Sequence, residues 1–371
     1  MSKILVSGLD SIFRNKSVLV TGHTGFKGSW LTAWLGKLGA NVVGIALDPP
    51  TNPSHFNEAK LSSKVKDLRI DIRNKSEVEK AIIDAKPDFV FHLAAQSLVR
   101  QSYENPVDTW QTNVMGTINI LDSLRYLNNS CTAIMVTSDK CYKNIEQNKG
   151  YVETDELGGF DPYSGSKGAA EIAIRSYIHS YFPRESSNLR IATARAGNVI
   201  GGGDWAADRI IPDCVKSWSK NEEIKLRSPN ATRPWQHVLE PLSGYLNLAL
   251  SLQKDLNLHG ESFNFGPRPE EDHSVLELVQ EMSSYWDKVK WKDFSNTPNN
   301  FHESGLLKLD CSKSWRILNW QATMNFKETV KMTAEWYQLY YSKSEPIFEI
   351  TDAQIDNYVK YAHEKGLKWA I

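Results

Sequence analysis

Residues 21–28 of the chain read Thr-Gly-His-Thr-Gly-Phe-Lys-Gly, directly after a short β-branched run and directly before a helical pattern. Gly22 and Gly25 allow a tight turn and a close approach of the backbone to a pyrophosphate, and Gly28 lets the helix pack closely on the strand. The N-terminus of the helix adds N–H donors for an anion. The stretch, with Thr24 and Phe26 inside it, therefore predicts a dinucleotide-binding turn.

The sequence around this turn alternates short apolar runs with longer amphipathic stretches. Strand and helix in turn indicate a parallel sheet with right-handed helical crossovers. We therefore predict a Rossmann-type, doubly wound α/β fold that binds its ligands at the carboxyl ends of the strands. The predicted strands are 18–21, 42–46, 65–70, 89–93, 133–137 and 191–194, and the predicted helices are 29–38, 75–85, 107–127 and 163–181.

The composition changes after residue 198, where glycine, proline, arginine and tryptophan follow one another in irregular order. An apolar helix at 241–252 and a strand at 262–265 are expected to return to the sheet. The sequence therefore predicts two parts. A cofactor-binding domain comprises residues 1–198 with about 239–265, and a smaller, partly discontinuous substrate-binding lobe comprises 199–238 and 266–371.

Acidic residues end the second and third predicted strands. Asp48 follows Gly28 by about 20 residues, the distance at which a carboxylate accepts hydrogen bonds from an adenosine ribose and repels a 2'-phosphate. This position favours NAD over NADP, although an Asp before two prolines is also a common turn residue. Asp71 and Ile72 are placed to face the adenine, and the alternative for Asp71 is a helix N-cap.

Tyr163 and Lys167 are four residues apart, which places the phenol and the ammonium on one helix face. A neighbouring positive charge favours the phenolate, so the pair is suited to accept a hydroxyl proton as a hydride leaves the same carbon. The alternative is an exposed Tyr and Lys on a surface helix. The glycine turn upstream favours the catalytic interpretation.

Ser138, Asp139 and Lys140 follow the predicted strand 133–137, at the edge of the sheet where the cofactor is expected. Ser138 is placed to hydrogen-bond the reacting oxygen. Asp139 and Lys140 add two titratable groups that simple hydride transfer does not require. The alternative for Ser138 or Asp139 is a helix cap.

Composition excludes several other classes of protein. Forty-three basic and 44 acidic residues give a formal net charge of −1, which offers no electrostatic surface for nucleic acid or an anionic membrane. Four separated cysteines and nine histidines without ligand spacing indicate neither disulfides nor a metal site. No apolar run has the length of a membrane span, and residues 1–15 lack the pattern of a signal peptide. We expect a cytoplasmic protein.

Six motifs resemble those of the nucleotide-sugar 4,6-dehydratases in the extended short-chain dehydrogenase/reductase family, and the resemblance covers nearly the whole chain. Lys140 is similar to the lysine of the members that act on CDP-glucose, where members acting on dTDP-glucose carry a glutamate. The motifs are GHTGFKGSW (22–30), ALDPPTNPSHF (46–56), HLAAQSLVR (92–100), TSDKCY (137–142), GNVIGGGDW (197–205) and RPWQHVLEPLSGYL (233–246).

The resemblance implies a redox-neutral dehydration of CDP-glucose, with bound NAD acting as a catalyst. Tyr163 would take the 4-hydroxyl proton, with Lys167 orienting the nicotinamide ribose and Ser138 holding the oxygen. Lys140 would then remove the C5 proton while Asp139 protonates the departing 6-hydroxyl. As a base Lys140 must be neutral, which burial or neighbouring cations favour and adjacent Asp139 opposes.

The same resemblance assigns the substrate's diphosphate to Asn198 and Arg233, and less directly to Arg209 and His237. Arginine suits phosphate because it donates two hydrogen bonds in parallel. Scattered surface arginines are the alternative. The run 227–237 is expected to contribute to the choice of nucleobase.

Two other functions share many of these features. A nucleotide-sugar 4-epimerase needs NAD, Tyr163 and Lys167 but no acid and base for elimination, and a non-catalytic NAD sensor needs only the glycine turn. A dehydratase acting on another nucleotide-glucose is a third alternative. The long helices at 107–127 and 163–181 carry apolar stripes that relatives pair across a two-fold axis, so a homodimer is expected unless both stripes face the sheet of one chain.

Overall fold

The computed structural model describes residues 9–226, 228–268, 271–286, 289–293 and 306–370. Seven parallel strands form the central sheet in the order β11-β6-β5-β4-β1-β2-β3. The strands in the described ranges are β1 (Ser17–Thr21), β2 (Asn41–Ala46), β3 (Lys66–Arg69), β4 (Phe89–His92), β5 (Cys131–Val136), β6 (Leu189–Ala196), β7 (Val199–Ile200), β8 (Ile224–Leu226), β9 (Thr232–Arg233), β10 (Gln236–His237), β11 (Ser262–Phe265), β12 (His273–Ser274) and β13 (Trp291–Asp293).

Helices connect these strands and cover both faces of the sheet. Short 3-10 turns at Leu61–Ser63, Asp139–Cys141, Leu256–Leu258 and Lys368–Ala370, and a π-helical turn at Gln111–Met115, complete the described elements. The α-helices are α1 (Leu9–Phe13), α2 (Phe26–Lys37), α3 (His55–Glu58), α4 (Lys75–Ala85), α5 (Val99–Glu104), α6 (Pro106–Trp110), α7 (Gly116–Leu124), α8 (Pro162–Tyr181), α9 (Ile210–Trp218), α10 (Leu239–Lys254), α11 (Val275–Ser283), α12 (Ser312–Leu318), α13 (Phe326–Ser342) and α14 (Ile347–Glu364).

The predicted doubly wound parallel sheet is confirmed. Chain order reverses between β1 and β4, because β3 lies at one edge and the chain then crosses back through α4 to place β4 on the other side of β1. Ligands of such sheets bind in the crevice at this reversal. The predicted strand at 262–265 is β11, which returns beside β6 as expected.

Two apolar cores lie on opposite faces of the sheet. Alternate residues of β1 point to opposite faces, so Val18 and Val20 join the core with α2, α10, α13 and α14, whereas Leu19 joins the core with α4, α7 and α8. Strands buried on both faces explain the nearly continuous apolar runs in the sequence.

The C-terminal helices contact the first part of the chain. Lys37 at the end of α2 donates to Asp352 of α14 at 2.8 Å, and His55 shares a hydrogen bond of 2.8 Å with Thr351. Trp336 of α13 also packs edge-to-face on His55 at 5.7 Å. The C-terminal helices α13 and α14 therefore pack on the same face of the sheet as α2 and α10. Across the described ranges, no helix combines the length and apolar character needed to cross a membrane.

Candidate active site

A cleft of about 1780 Å³ opens at the carboxyl ends of the parallel strands. The loops after β1 to β6, the first turn of α8 and the segment before α9 line it. Among the residues predicted from sequence, His237 alone is not part of the lining. The predicted residues that line the cleft are Gly22, Thr24, Gly25, Phe26, Gly28, Asp48, Asp71, Ile72, Ser138, Asp139, Lys140, Tyr163, Lys167, Asn198, Arg209 and Arg233.

The glycine turn has the close backbone packing that the sequence predicts. Gly22 has φ of +77°, and a Cβ on Gly28 would stand only 2.0 Å from the carbonyl oxygen of Gly22. The Thr24 hydroxyl donates a hydrogen bond of 3.0 Å to the carbonyl oxygen of Leu47, the residue directly after β2. The N-cap residue Gly25 offers no side chain to the first turn of α2, so the helix N-terminus faces the cleft uncovered.

The acidic residues differ in how they are engaged. The Asp48 side chain is 92% exposed at the rim, 3.7 Å from the guanidinium of Arg69. Asp71 accepts hydrogen bonds from Nε, Nη2 and the backbone N–H of Arg73, and the side-chain bonds are the main cause of the lowered pKa of its carboxyl. Ile72 is buried under Gly116. Beside the predicted adenosine site, Arg69 therefore faces the carboxylate of Asp48 and Arg73 faces that of Asp71.

Tyr163, Lys167, Ser138 and Asp139 are all buried in the floor of the cleft. Helix α8 begins at Pro162 because Asp161 caps it, accepting from the backbone N–H of Ser164 at 2.9 Å. One turn of helix separates Tyr163 from Lys167. Strand β5 ends beside them, and Ser138 there donates to Oδ1 of Asp139 at 2.9 Å. Lys140 is half-buried in the same lining.

Burial dominates the electrostatics of these groups. It raises the pKa of Tyr163 to about 12, against a smaller lowering effect from the Ser138 hydrogen bond. The sequence predicts that Lys167 lowers the pKa of this phenol, whereas in the structure desolvation of the phenolate has the largest effect and raises that pKa. Burial also lowers the pKa of Lys167 to about 8 and raises that of Asp139.

Three of the four residues predicted to hold a diphosphate line the cleft. Asn198 and Arg233 line the cleft, and so does Arg209, whose guanidinium donates to Asp204 at 2.9 Å. Asp204 raises the pKa of Arg209, so this side chain carries a permanent charge into the cleft.

His237 is placed differently from the sequence-based expectation. Its ring is fully buried, packs edge-to-face on Trp30 at 5.9 Å and does not line the cleft. Burial lowers the pKa of His237 to about 3, which makes it neutral. As placed, His237 offers the cleft no exposed donor for a phosphate.

Sequence reasoning missed three features of the site. Lys27, in the turn at residues 21–28, lines the cleft, although the sequence pattern predicts no role for it. Asp204, five residues before Arg209, holds that arginine. Arg195 and Glu171 form a buried ion pair behind Lys167. The position of Lys27 in the first turn of α2 could have identified it as a lining residue. The sequence gives no signal for the pairing of Arg195 with Glu171, because the two residues are 24 positions apart.

Residues 19–333 match the family described as GDP-mannose 4,6 dehydratase. The CDP-glucose 4,6-dehydratase of Salmonella typhimurium is 43% identical over 354 residues, covering 94% of this chain and 98% of that protein. This chain belongs to the GDP-mannose 4,6 dehydratase family. The resemblance to nucleotide-sugar dehydratases inferred from the motifs is thereby confirmed.

Two further matches are less similar to this dehydratase family member. The CDP-paratose 2-epimerase of Salmonella typhi is 26% identical over 350 residues, covering 86% of this chain and 98% of that protein. The UDP-glucose-4-epimerase of Stenotrophomonas maltophila, solved with bound NAD, superposes with a TM-score of 0.74 at 21% identity, covering 89% of this chain and 100% of that chain. This last likeness shows the shared fold.

In the ranges that the structure describes, no three His, Cys, Asp or Glu side chains come together as a metal site. The charged groups that converge on the cleft are instead lysines, arginines and single carboxylates. Such a set is suited to proton transfer and to binding an anionic substrate.

Proposed function

We propose that this chain is a NAD-dependent CDP-glucose 4,6-dehydratase, a hydro-lyase that converts CDP-D-glucose to CDP-4-dehydro-6-deoxy-D-glucose and water. The observation that carries the proposal is the meeting of Tyr163 and Lys167 with Ser138, Asp139 and Lys140 in one cleft. The relative that is 43% identical bears the same name. An epimerase would need the first two residues but would have no use for the added acid and base.

NAD is the cofactor that the cleft fits. Gly22, Gly25 and Gly28 line the cleft at the N-terminus of α2, where backbone N–H groups would bind a pyrophosphate, and Gly28 lets the helix pack against Gly22 at a distance that a Cβ would not allow. Thr24 and Phe26 lie in the same turn, and Asp48, Asp71 and Ile72 would face the adenosine. Bound in this cleft, NAD would supply the hydride acceptor for C4 of the sugar and the hydride donor for C6.

Three residues would take part in the oxidation at C4. Tyr163 accepts the hydroxyl proton, and Ser138 hydrogen-bonds the same oxygen. Lys167, one helical turn from the phenol, would hold the nicotinamide ribose and would favour the phenolate by its charge. Burial raises the pKa of Tyr163 to about 12, so the phenol is protonated before it accepts a proton in its phenolate form.

Lys140 and Asp139 would carry out the elimination. A ketone at C4 acidifies the hydrogen at C5, which Lys140 would remove as a proton. Asp139 gives its own proton to the 6-hydroxyl, which leaves as water. Burial favours the protonated form of Asp139, so the carboxyl holds the proton that it donates before the step begins.

The diphosphate of the substrate would lie against Asn198, Arg209 and Arg233, all of which line the cleft. Within the run 227–237 that is proposed to choose the nucleobase, Arg227 lies outside the described residues. Competition among CDP-, dTDP-, UDP- and GDP-glucose tests that choice. A higher kcat/KM for another nucleotide would overturn the cytidine assignment and leave the dehydratase assignment standing.

A homodimer is supported by apolar side chains that remain uncovered on the two long helical segments. Val107 of α6 is 68% exposed and Ile172 of α8 is 59% exposed, and Met115 and Tyr181 are also exposed. A second copy of these helices would cover them. Light scattering after size exclusion tests this at micromolar concentration, where a monomer would reject it.

The division into a cofactor domain and a substrate lobe, with residues 266–371 in the lobe, remains a proposal, as does a cytoplasmic location. Limited proteolysis with and without substrate tests the first. Fractionation of the source cells tests the second.

Mass spectrometry distinguishes the candidate functions in one assay. Protein, NAD and CDP-glucose should give a product lighter by one water. An epimerase would return a product of unchanged mass, and a sensor would bind NAD and leave the sugar intact.

A further inference from the structure

Arg209 is held in the cleft by a buried carboxylate to which the proposed reaction gives no role. Its side chain is 34% exposed in the cleft lining, and its Nη1 donates to Oδ2 of Asp204 at 2.9 Å. The Asp204 side chain is only 6% exposed. A guanidinium has five N–H donors, so this hydrogen bond uses one of them and leaves the others for further partners.

All three oxygens of Asp204 accept hydrogen bonds. Oδ1 accepts from the backbone N–H of Ala206 at 3.0 Å, and Oδ2 accepts from Arg209. The backbone carbonyl oxygen accepts from the Tyr337 hydroxyl at 2.5 Å, and Tyr337 is fully buried on α13. The carboxylate therefore has a fixed position, which a helix near the end of the chain helps to set.

The residues on either side of this aspartate pack closely. A Cβ on Gly202 would lie 1.9 Å from Cγ of Trp336. Gly203 has φ of +84°, and a Cβ there would lie 2.7 Å from the Cβ of His55. The rings of Trp205 and Trp336 are 5.7 Å apart. These contacts fix the backbone of the segment against α13, because a packed interior has no space into which it could shift.

A carboxylate beside an anion site has two opposite effects on binding. Its negative charge repels a diphosphate. Its hydrogen bond, in contrast, holds the arginine in one geometry and so reduces the side-chain entropy that is lost when the anion binds. Removal of the carboxylate distinguishes these effects, because loss of the repulsion would tighten binding and loss of the positioning would weaken it.

We propose that Asp204, fixed by the Tyr337 hydroxyl of α13, is the positioning residue that holds the Arg209 guanidinium for the diphosphate of the nucleotide sugar. The inference rests on the proposed function, which places that diphosphate against Arg209. The structure describes all of α13, and none of its residues lines the cleft, so the helix acts on the substrate through Asp204. Because these groups do not touch the reacting carbons, the effect is expected in binding and in KM, with kcat little changed.

Asp204→Asn removes the charge and keeps the size of the side chain. In calorimetric titrations the dissociation constant of CDP should rise by about 2- to 10-fold, the order expected when one arginine side chain must be ordered on binding. Cytidine, which has no phosphate, should bind as it does to the wild type. In turnover of CDP-glucose, KM should rise by a similar factor at nearly unchanged kcat. Unchanged or tighter binding of CDP would overturn the proposal, because repulsion would then be the main effect of Asp204.

A double-variant cycle separates positioning from folding. If Asp204 acts through Arg209, Asp204→Asn should cause no further loss of CDP binding in the Arg209→Met background, where both charges of the pair are gone. An equal loss in both backgrounds would overturn the proposal, because Asp204 would then act by another route. Asp10→Asn is the matched control. It changes a carboxylate that pairs with Arg14 outside the cleft lining, and it should leave CDP binding unchanged.

Tyr337→Phe tests the contribution of α13. The variant keeps the ring in the core and removes the hydrogen bond to the Asp204 carbonyl, so CDP binding should weaken by a smaller factor while cytidine binding stays the same. An unchanged affinity for CDP would overturn the part assigned to α13.

These titrations need no turnover, so they separate this inference from the proposed function. If the wild type binds CDP but does not dehydrate CDP-glucose, the proposed function fails and the double-variant cycle still decides the role of Asp204. A wild type that binds none of CDP, dTDP, UDP and GDP would overturn both.

Discussion

Arg195 and Glu171 form a bidentate ion pair that joins the sheet to the helix carrying Tyr163 and Lys167. Nε and Nη2 of Arg195 each lie 2.9 Å from a carboxylate oxygen of Glu171, and both side chains are 3% exposed. Thr137, just before Ser138, donates to the same carboxylate at 2.5 Å. The pair therefore sets helix α8 against the end of β5, so that the two groups of proposed catalytic residues meet.

Arg195→Met should lower the free energy of unfolding by about 3–5 kcal/mol, because it leaves the buried Glu171 carboxylate without its cation, with Thr137 as its remaining hydrogen-bond donor. The double variant Arg195→Met, Glu171→Met should recover much of this loss, since no charge then remains buried. Urea unfolding of the single and double variants measures both values. Equal losses in the single and double variants would show that the ion pair is not what the arginine contributes.

Lys140→Ala should stall the reaction after the first hydride transfer. The variant should still reduce NAD on meeting CDP-glucose and hold the NADH absorbance with a 4-keto sugar, while water loss slows by about 10²- to 10⁴-fold. Wild-type enzyme in deuterated water should place deuterium at C5. Lys143→Ala, at a surface lysine paired with Glu156, is the matched control. Near-normal dehydration by folded Lys140→Ala would leave Asp139 or another group as the base.

Tyr163→Phe should fail at the earlier step, because no group then accepts the proton from the C4 hydroxyl. NADH should form at least about 10²-fold more slowly than in the wild type in a stopped-flow experiment. Tyr177→Phe, a change of the same kind further along α8, should leave the rate unchanged. If Tyr163→Phe reduced NAD at the wild-type rate, the proton acceptor would be a different residue.

Gly28→Ala should weaken NAD binding by at least about tenfold, because the new Cβ would overlap the backbone of Gly22 and force the turn open. Gly36→Ala lies on the same helix, where a Cβ would meet no atom within 4 Å. That change should raise stability by up to about 1 kcal/mol. Calorimetric titration with NAD and thermal unfolding measure the two effects. Similar behaviour of both variants would count against the close-packed turn.

Glu240 makes folding stability depend on pH. It accepts hydrogen bonds from the backbone N–H groups of Thr323 and Met324 and from the Tyr358 hydroxyl, and burial raises its pKa from 4.5 to about 7. A raised pKa in the folded state adds stability that is present below the unfolded pKa and is lost as pH rises through the folded pKa.

The stability of the wild type relative to Glu240→Gln should therefore fall by about 3 kcal/mol between pH 4.5 and 7. Urea unfolding of both proteins at several pH values isolates this difference, because the titrations that they share cancel. Glu335→Gln, at a surface glutamate on α13, should show no such trend. A difference that stays constant with pH would mean that Glu240 does not titrate in this range.

Local patterns in the sequence were enough to predict the sheet and much of the cleft lining. Each of the three decisive patterns spans eight residues or fewer: the turn at 21–28, the pair Tyr163 and Lys167, and the run Ser138 to Lys140. Strand-end loops in a parallel sheet meet at one edge, so these segments could be brought together from their order alone.

Tertiary structure decided the electrostatic state of these groups and the partners of the charged residues. Burial raises the pKa of Tyr163 although Lys167 is its neighbour in sequence, and it makes His237 a neutral packing residue away from the cleft. Desolvation depends on every element packed around a side chain. Likewise, Arg195 meets Glu171 across 24 residues, and Lys27 meets Tyr245 across 218. No local pattern encodes contacts over such distances, because the packing of helices on the sheet creates them.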